Sequence, residues 1–433
     1  MGDIYLIEIR LSRTKWRIRK TISTIGRMFS LDGYLECHPH VTLFGPMSLN
    51  EGISPRQLMD SVGMVAARFD PVPFIINGWE KRKGSNGSVI AFSVMPSGPL
   101  KTLTALLAET LSPIVHSENI WDANPDSKWF HVTIANRLDS GKVTKVFDAL
   151  TGKQQAETSP GIFRWLRHLL GYMIRWKKAD QVRPVTIDET GIRITILQGD
   201  KILAEYDLLE KRWINSDYSH DSKSWQTTLA LFRQQSGFER LDPQPSHPDD
   251  IYLISDLHLG HKNIIRYCSR PFVVSDAGEM DHVLIKNWNY TISDSNRVYY
   301  LGDLRYGSDA LPALEYRKKL RGRITFIEGN HDDWELGAVH SATLNYRGFC
   351  FLLVHDPADA PDPFDGWVIH GHHHNNHLLS YPFIDFKHRR INVSAEVLGY
   401  IPVNLNDICT LILNKISCGD PQPVLLNYSC GAE

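Results

Sequence analysis

Ile251-Tyr252-Leu253-Ile254-Ser255-Asp256-Leu257-His258-Leu259-Gly260-His261 decides how this chain is read. Four apolar residues, Ile251 to Ile254, predict a buried strand. Asp256 and His258 stand two residues apart just past its end, where strand ends in α/β sheets commonly carry ligand sites. Alone, Asp-x-His occurs by chance. Four further runs downstream give it weight, because each breaks into glycine or a metal-type side chain. Val298-Tyr-Tyr-Leu301 is followed by Gly302-Asp303, and Ile324-Thr-Phe-Ile327 leads to Gly329-Asn330-His331-Asp332. His355 ends Phe349-Cys-Phe-Leu-Leu-Val354, and Gly366-Trp-Val-Ile369 runs into His370-Gly371-His372-His373-His374.

In that order these blocks resemble a calcineurin-like metallophosphoesterase over residues 251 to about 410. The resemblance implies two divalent metal ions. Asp256, His258, Asp303 and His374 would hold one, and Asp303, Asn330, His355 and His372 the other, with Asp303 bridging. A carboxylate between two cations can keep them about 3.5–4 Å apart, suited to clamping a phosphoryl transfer. Imidazole, carboxylate and amide ligands without thiolate fit manganese, with iron or zinc as alternatives. His331 is expected beside the metals, protonating the leaving oxygen while Asp332 orients its ring. His261 and Arg270 are candidate phosphate contacts, although Arg270 could equally pin its loop to a carboxylate. His370 would share a strand face with His372 and His374; the Gly-His-x-His form favours the latter two. The block from Gly260 to Phe272 and that from Asn392 to Val403 resemble a bacterial and archaeal branch of that family.

The front half carries a different signal. His40-Val41-Thr42-Leu43 and His131-Val132-Thr133-Ile134 repeat one pattern at a spacing of about ninety residues. On a strand, His and Thr of each copy point to the same face. The pair resembles a two-histidine (2H) phosphoesterase, in which two pseudo-symmetric lobes each give one His-x-Thr to a cleft. That resemblance implies metal-independent action on a 2′,3′-cyclic phosphate or a 2′-5′ linkage. The residues suit the task. Imidazole titrates near neutrality, so one ring can accept a proton while the other delivers one. Thr42 and Thr133 can donate to phosphate oxygens. His38 reads as a structural neighbour of the first motif.

Around the motifs, Arg13 to Ile25 predicts a basic amphipathic helix, residues 73–95 a hairpin, and residues 99–114 a helix with Leu103, Leu106, Leu107 and Leu111 on one face. A second hairpin is expected across Gln198-Gly-Asp-Lys201, and a helix from Leu229 to Phe238. Residues 161–178 interleave aromatic residues with Arg and Lys. They can be a helix packed on its domain, a nucleic-acid contact, or a segment grazing a membrane surface. Leu241 to Asp250 holds three prolines and no apolar period, and reads as a semi-rigid linker. The organisation expected is therefore 1–240, a linker 241–250, and 251–433. The fold class is two-domain α/β (α+β), a bilobal 2H phosphoesterase fold followed by a metallophosphoesterase β-sandwich flanked by helices.

Charge follows the same division. Residues 1–240 carry 31 Lys and Arg against 25 Asp and Glu, and the remainder 16 against 24. A cationic front half suits a polyanionic substrate, and an acidic back half is one that bound cations can offset. The six cysteines form no Cys-x-x-Cys pair, which reads as reduced thiols in a cytoplasmic protein. No apolar run reaches the ~18–20 residues of a membrane span. The function expected is a bifunctional phosphoesterase acting on RNA ends or nucleotides. The alternatives are a signalling phosphodiesterase of cyclic di- or oligonucleotides, and an RNA-binding adaptor with an inactive first domain. Oligomeric state has no signal in the sequence.

Overall fold

The computed structural model describes residues 3–11, 13–29, 31, 38–84, 87–151, 186–215, 222–332, 336–417 and 424 of the 433-residue chain. The basic aromatic segment 161–178 lies outside the described residues. The chain is mixed α/β and divides into two compact units, Met1–Thr228 and Leu229–Glu433.

The first unit contains strands β1 (Tyr5–Arg10), β2 (His40–Leu49), β3 (Val72–Gly84), β4 (Gly87–Pro96), β5 (Val115–Ser117), β6 (His131–Leu138), β7 (Ile187–Gly191), β8 (Arg193–Gln198), β9 (Lys201–Asp207) and β10 (Arg212–Asn215). They form a six-stranded sheet in the order β10-β9-β8-β1-β2-β5 and a four-stranded sheet in the order β6-β4-β3-β7. Neighbours in both sheets run antiparallel. The expected hairpins are β3–β4 and β8–β9, the latter closing at Gln198 opposite Lys201. Period-2 patterning buries one face of each motif strand: Val41 and Leu43 on β2, Val132 and Ile134 on β6.

Helix α1 (Lys15–Phe29) seals this core with Ile18, Ile22 and Ile25, the stripe its spacing predicts. Helix α2 (Pro55–Ala66) starts at a capping box. Ser54 Oγ accepts from Gln57 N, and Gln57 Oε1 accepts from Ser54 N. Loss of such a cap costs about 1 kcal/mol. Helix α3 (Gly98–Leu111) buries Leu100, Leu103, Leu107 and Leu111, with Leu106 only partly covered. Two further helices, α4 (Ile120–Ala123) and α5 (Ser140–Leu150), flank β6 in sequence.

Helix α6 (Ser222–Gln235) contains the division between the units. It ends at Gln235, three residues before Phe238, the end predicted from apolar content. Phe238 is buried beyond the helix, its ring edge-on to Phe232 at 5.8 Å. The proline-rich stretch belongs to the second unit, with Gln244 N donating to Tyr290 O and Asn296 Nδ2 to His247 O.

The second unit contains β11 (Ile251–Ile254), β12 (Arg297–Tyr300), β13 (Arg323–Phe326), β14 (Ala342–Tyr346), β15 (Phe349–Leu353), β16 (Trp367–His370), β17 (Ile384–Asp385), β18 (Arg390–Asn392) and β19 (Val403–Asn404). One sheet has the order β13-β12-β11-β19 and the other β14-β15-β16-β18-β17. Strands β11, β12 and β13 are mutually parallel, as are β15, β16 and β18. Parallel pairing brings the carboxyl ends of neighbouring strands to one edge, which is why five separate blocks of sequence can supply one site. The sheets meet where Ser255 N donates to Val393 O. Helices α7 (Lys262–Tyr267), α8 (Ala277–Thr291), α9 (Ala313–Arg317) and α10 (Leu405–Ser417) complete the unit.

Candidate active sites

In the first unit His40 opens β2 and His131 opens β6, so each motif sits at the same point of its strand. Both imidazoles are tied in the same way. His40 Nδ1 donates to His38 O at 2.7 Å, and His131 Nδ1 donates to Trp129 O at 2.9 Å, each carbonyl lying two residues upstream. With Nδ1 carrying the proton in both rings, Nε2 is the atom left for chemistry in both. Thr42 and Thr133 follow on the same half-covered face. The surroundings are not symmetric. Glu8 Oε2 lies 3.5 Å from His40 Nδ1, whereas His131 stacks on Trp129 with ring centroids 3.8 Å apart. Burial pushes His131 below the ordinary imidazole range, and His40, Arg82 and Lys128 add to that. His38 faces Leu11 O at 3.3 Å, and burial carries it down to about 3.

In the second unit the strand ends bring together all seven ligand candidates. Asp303 Oδ2 lies 3.4 Å from His258 Nε2 and 3.6 Å from His355 Nε2. Asp256 Oδ1 lies 3.7 Å from His374 Nε2. Asn330 Oδ1 lies 2.9 Å from His355 Nε2 and 3.0 Å from His372 Nδ1. Five of the seven, Asp256, His258, Asp303, His372 and His374, adopt φ between 49° and 67°. Non-glycine residues reach that region at a cost of order 1–3 kcal/mol each, and such strain clusters at functional sites. Gly302 and Gly371 allow the close approach. A Cβ on Gly302 would meet His355 Nδ1 at 2.5 Å, and one on Gly371 would meet Asp256 Oδ2 at 2.4 Å.

The donor set fits divalent cations. Both ring nitrogens of His258 are buried with no hydrogen-bond partner, beside the carboxylates of Asp256 and Asp303. Burial holds His258 well below the ordinary imidazole range, leaving it neutral with a lone pair to offer. Burial also raises Asp303 to about 6, a desolvation cost that a bound cation would relieve. Hydrogen bonds fix the remaining rings. His355 Nδ1 donates to Leu301 O at 2.8 Å, which turns Nε2 toward Asp303 and Asn330. His374 Nδ1 faces Glu396 Oε2, turning Nε2 toward Asp256.

Two roles expected from sequence are corrected here. Arg270 does not reach the cleft. It is 1% exposed, and its guanidinium donates to Glu396 Oε1, Leu257 O and Asp256 O at 2.7 Å each, so it pins the first ligand loop. Asp332 does not orient His331. Its oxygens accept from the backbone N–H groups of Asp303, Leu304 and Gly329 and clamp the Gly302 turn to the Gly329 turn. The His331 ring lies instead edge-on to Tyr306 at 4.6 Å. His261 and His331 line one cleft of about 480 Å³ together with His258, Asp303, His372 and Tyr306. His370 is fully buried with Nδ1 donating to Gly371 O at 2.9 Å, its ring edge-on to His373 and Tyr381. Sequence reading missed Glu8 and Glu396. The available signal for each was an acid embedded in an apolar run, Leu6-Ile-Glu-Ile9 and Val393-Ser-Ala-Glu-Val397.

The model of the 2′-5′ RNA ligase superfamily matches residues 14–164, which lie in the first unit. Over 164 residues the chain is 49% identical to an uncharacterized protein of Methanocaldococcus jannaschii, MJ1445, covering 37% of this chain and 90% of that protein. The chain belongs to the same family as that archaeal protein. Among solved structures, a protein of unknown function from Aquifex aeolicus, AQ665, is 22% identical, with 38% of this chain and 99% of that one covered and a TM-score of 0.30. LigT of E. coli, solved with 3′-AMP, is 14% identical, with 49% and 93% covered and a TM-score of 0.25. Among the described residues no helix is long and apolar enough to cross a membrane.

Proposed function

We propose that this chain is a bifunctional phosphoesterase acting on RNA ends or nucleotide phosphoesters. In the first unit His40 and His131 open a 2′,3′-cyclic phosphate or cleave a 2′-5′ linkage without metal. The observation that carries this is the matched tethering of both Nδ1 atoms, which presents two Nε2 atoms for proton transfer. One neutral Nε2 takes a proton from water as its oxygen attacks phosphorus. The other, protonated, gives its proton to the ribose oxygen as that P–O bond breaks. Thr42 and Thr133 donate to the non-bridging oxygens.

In the second unit Asp256, His258, Asp303 and His374 would hold one divalent cation, and Asp303, Asn330, His355 and His372 a second. Manganese is the ion best matched to these donors, with iron or zinc next. Bound there, the cations supply Lewis-acid polarisation of a phosphoryl oxygen. Asp303 would belong to both sets and Asn330 would add a neutral oxygen, while His331 at the exposed lip would hand a proton to the leaving oxygen of a phosphomonoester or diester. The reading is supported by the orphaned ring nitrogens of His258 and by the five left-handed ligand residues.

The test is a substrate panel on the full chain: 2′,3′-cyclic nucleotides, 3′,5′-cyclic nucleotides and RNA with defined ends, each with EDTA or with Mn. Cyclic-phosphate opening should persist in EDTA and fall by about 10²–10⁴ in His40→Ala or His131→Ala. Undiminished opening by the double variant would remove both histidines from the mechanism.

A further inference from the structure

Resting on the reading of the second unit as a phosphoesterase, the lining of its cleft points to the group bound beside the phosphate. We infer that Tyr306, with Tyr267, forms a nucleobase platform, so that the second unit holds a nucleoside phosphoester by its base and the nucleoside is the group that leaves.

Tyr306 stands three residues beyond Asp303 and is 40% exposed, yet its main chain is fixed. Its N–H donates to Leu259 O at 3.2 Å, and Leu259 pairs with Arg305 in a parallel bridge, one residue past His258. The wall beside it is tied as closely. A Cβ on Gly260 would meet Ala310 Cβ at 2.4 Å. Gly260 N donates to both oxygens of Asp281, which also accepts from the Tyr316 hydroxyl at 2.9 Å. The Tyr306 ring stands edge-on to His261 and to His331, each at 4.6 Å, and 6.4 Å from the ring of His258. An aromatic ring held open in advance loses little freedom when a flat partner settles against it. Contact with His331, placed above at the leaving oxygen, puts the platform on the leaving-group side.

The rest of the cleft selects for the same kind of group. Tyr267, which ends α7, is 43% exposed, with its ring 6.1 Å from that of His261. Asn263 and Asn376 line the cleft too, and among the described residues neither side-chain amide is bonded to a protein group. An amide offers a donor and an acceptor together, which matches the edge of a base. Among the described residues that line the cleft none is Lys or Arg, so the wall offers no side-chain cation to a second phosphate or to a carboxylate. Ile264 is its single aliphatic lining residue, which is too little for a lipid chain. A neutral, flat, polar-edged group is what remains, and a nucleobase is that group.

The test uses the full chain and two sets of substrates: nucleoside 5′-monophosphates with their methyl esters, and ribose 5-phosphate with its methyl ester, which keep the phosphoester and lack the base. The rate in EDTA is subtracted from the rate with Mn. Tyr306→Ala should raise KM for the nucleotides about tenfold with kcat little changed, and should leave the base-free esters unaffected. Tyr306→Phe keeps the ring and should behave as wild type. Tyr267→Ala should raise the same KM, and covers the case in which Tyr306→Ala does not fold. A second readout needs neither metal nor turnover. In saturation-transfer NMR of adenosine with the EDTA-treated chain, part of the signal on the base protons should vanish in Tyr306→Ala and persist in Tyr306→Phe. Wild type that handles base-free esters as well as nucleotides, equal losses on both substrate sets, a loss in Tyr306→Phe, or a base signal indifferent to Tyr306→Ala overturns the inference. If no phosphoester is hydrolysed with Mn while the Tyr306-dependent base signal is present, it is the phosphoesterase reading that fails, and the platform stands.

Discussion

Glu396 Oε2 lies 3.0 Å from Nδ1 of His374, and both side chains are buried. Burial would raise the Glu396 carboxyl, but Arg270 and His374 together hold it below the usual range, so it faces His374 as a carboxylate. A carboxylate on one imidazole nitrogen fixes the tautomer and makes the other nitrogen a better ligand. Here that other nitrogen faces Asp256.

Glu396→Gln should therefore weaken divalent-metal binding by the second unit about 10–100-fold. Metal retained against a graded chelator series, measured by mass spectrometry, gives the answer. Wild-type retention across the series would show that the carboxylate does not tune the ligand.

Arg270→Met leaves Glu396 charged, buried and short of its cation. Breaking a buried pair from one side costs about 3–5 kcal/mol, and the loss of support for Asp256 O and Leu257 O adds to it. A denaturant titration should show that loss, with much of it recovered in Arg270→Met, Glu396→Leu. Equal destabilisation of the single and double variants would mean the loop contacts, and not the charge, dominate.

These residues also mark where sequence reading reaches its limit. Strands β11, β12, β15 and β16 were legible because buried parallel strands are continuous apolar runs, and their ends were legible because ligand-type residues follow at once. The His-x-Thr strands were legible from period-2 alternation. Arg270 was not, since its type fits both a phosphate contact and a loop pin, and its partner Glu396 lies 126 residues away. Asp332 next to His331 suggested a ring partner, but three backbone N–H groups compete for its oxygens and win. The left-handed backbone at Asp256, His258 and Asp303 carries no glycine to announce it. Helix α6 ends at Gln235, and Gly237 just beyond it takes the left-handed φ of 71° that closes a helix, a stop that apolar content alone does not mark.

Asp303 Oδ2 lies 3.4 Å from His258 Nε2 and 3.6 Å from His355 Nε2, so a single substitution touches both ligand sets. Asp303→Asn should lower metal stoichiometry at both positions and abolish the metal-dependent phosphoesterase activity. Cyclic-phosphate opening should be unchanged, as it should be in wild type treated with EDTA. Metal content and both activities measured on the same preparations check this. Loss of the cyclic phosphodiesterase on chelation would end the division of labour between the two units.

His38 supplies a pH prediction for the first unit. Burial, with Lys15 and Arg10 nearby, holds its folded-state pKa at about 3, against about 6.5 for an exposed imidazole. The sign follows from proton counting. Above about pH 6.5 neither folded nor unfolded chain protonates His38, and it has no effect on the pH dependence. Between about 6.5 and 3 the unfolded chain takes up a proton that the folded chain refuses, so stability falls as pH falls. One such group contributes no more than about 1.4 kcal/mol per pH unit. His38→Gln keeps a donor for Leu11 O, which His38 Nε2 faces at 3.3 Å, and removes the titration. Urea unfolding of the chelator-treated chain at pH 7 and pH 5 should show a smaller loss in the variant than in wild type. Because His38 O also holds His40 Nδ1, activity at pH 7 checks that the backbone has not moved. Equal losses in the two proteins, with activity intact, would show that His38 does not set the acid sensitivity of this unit.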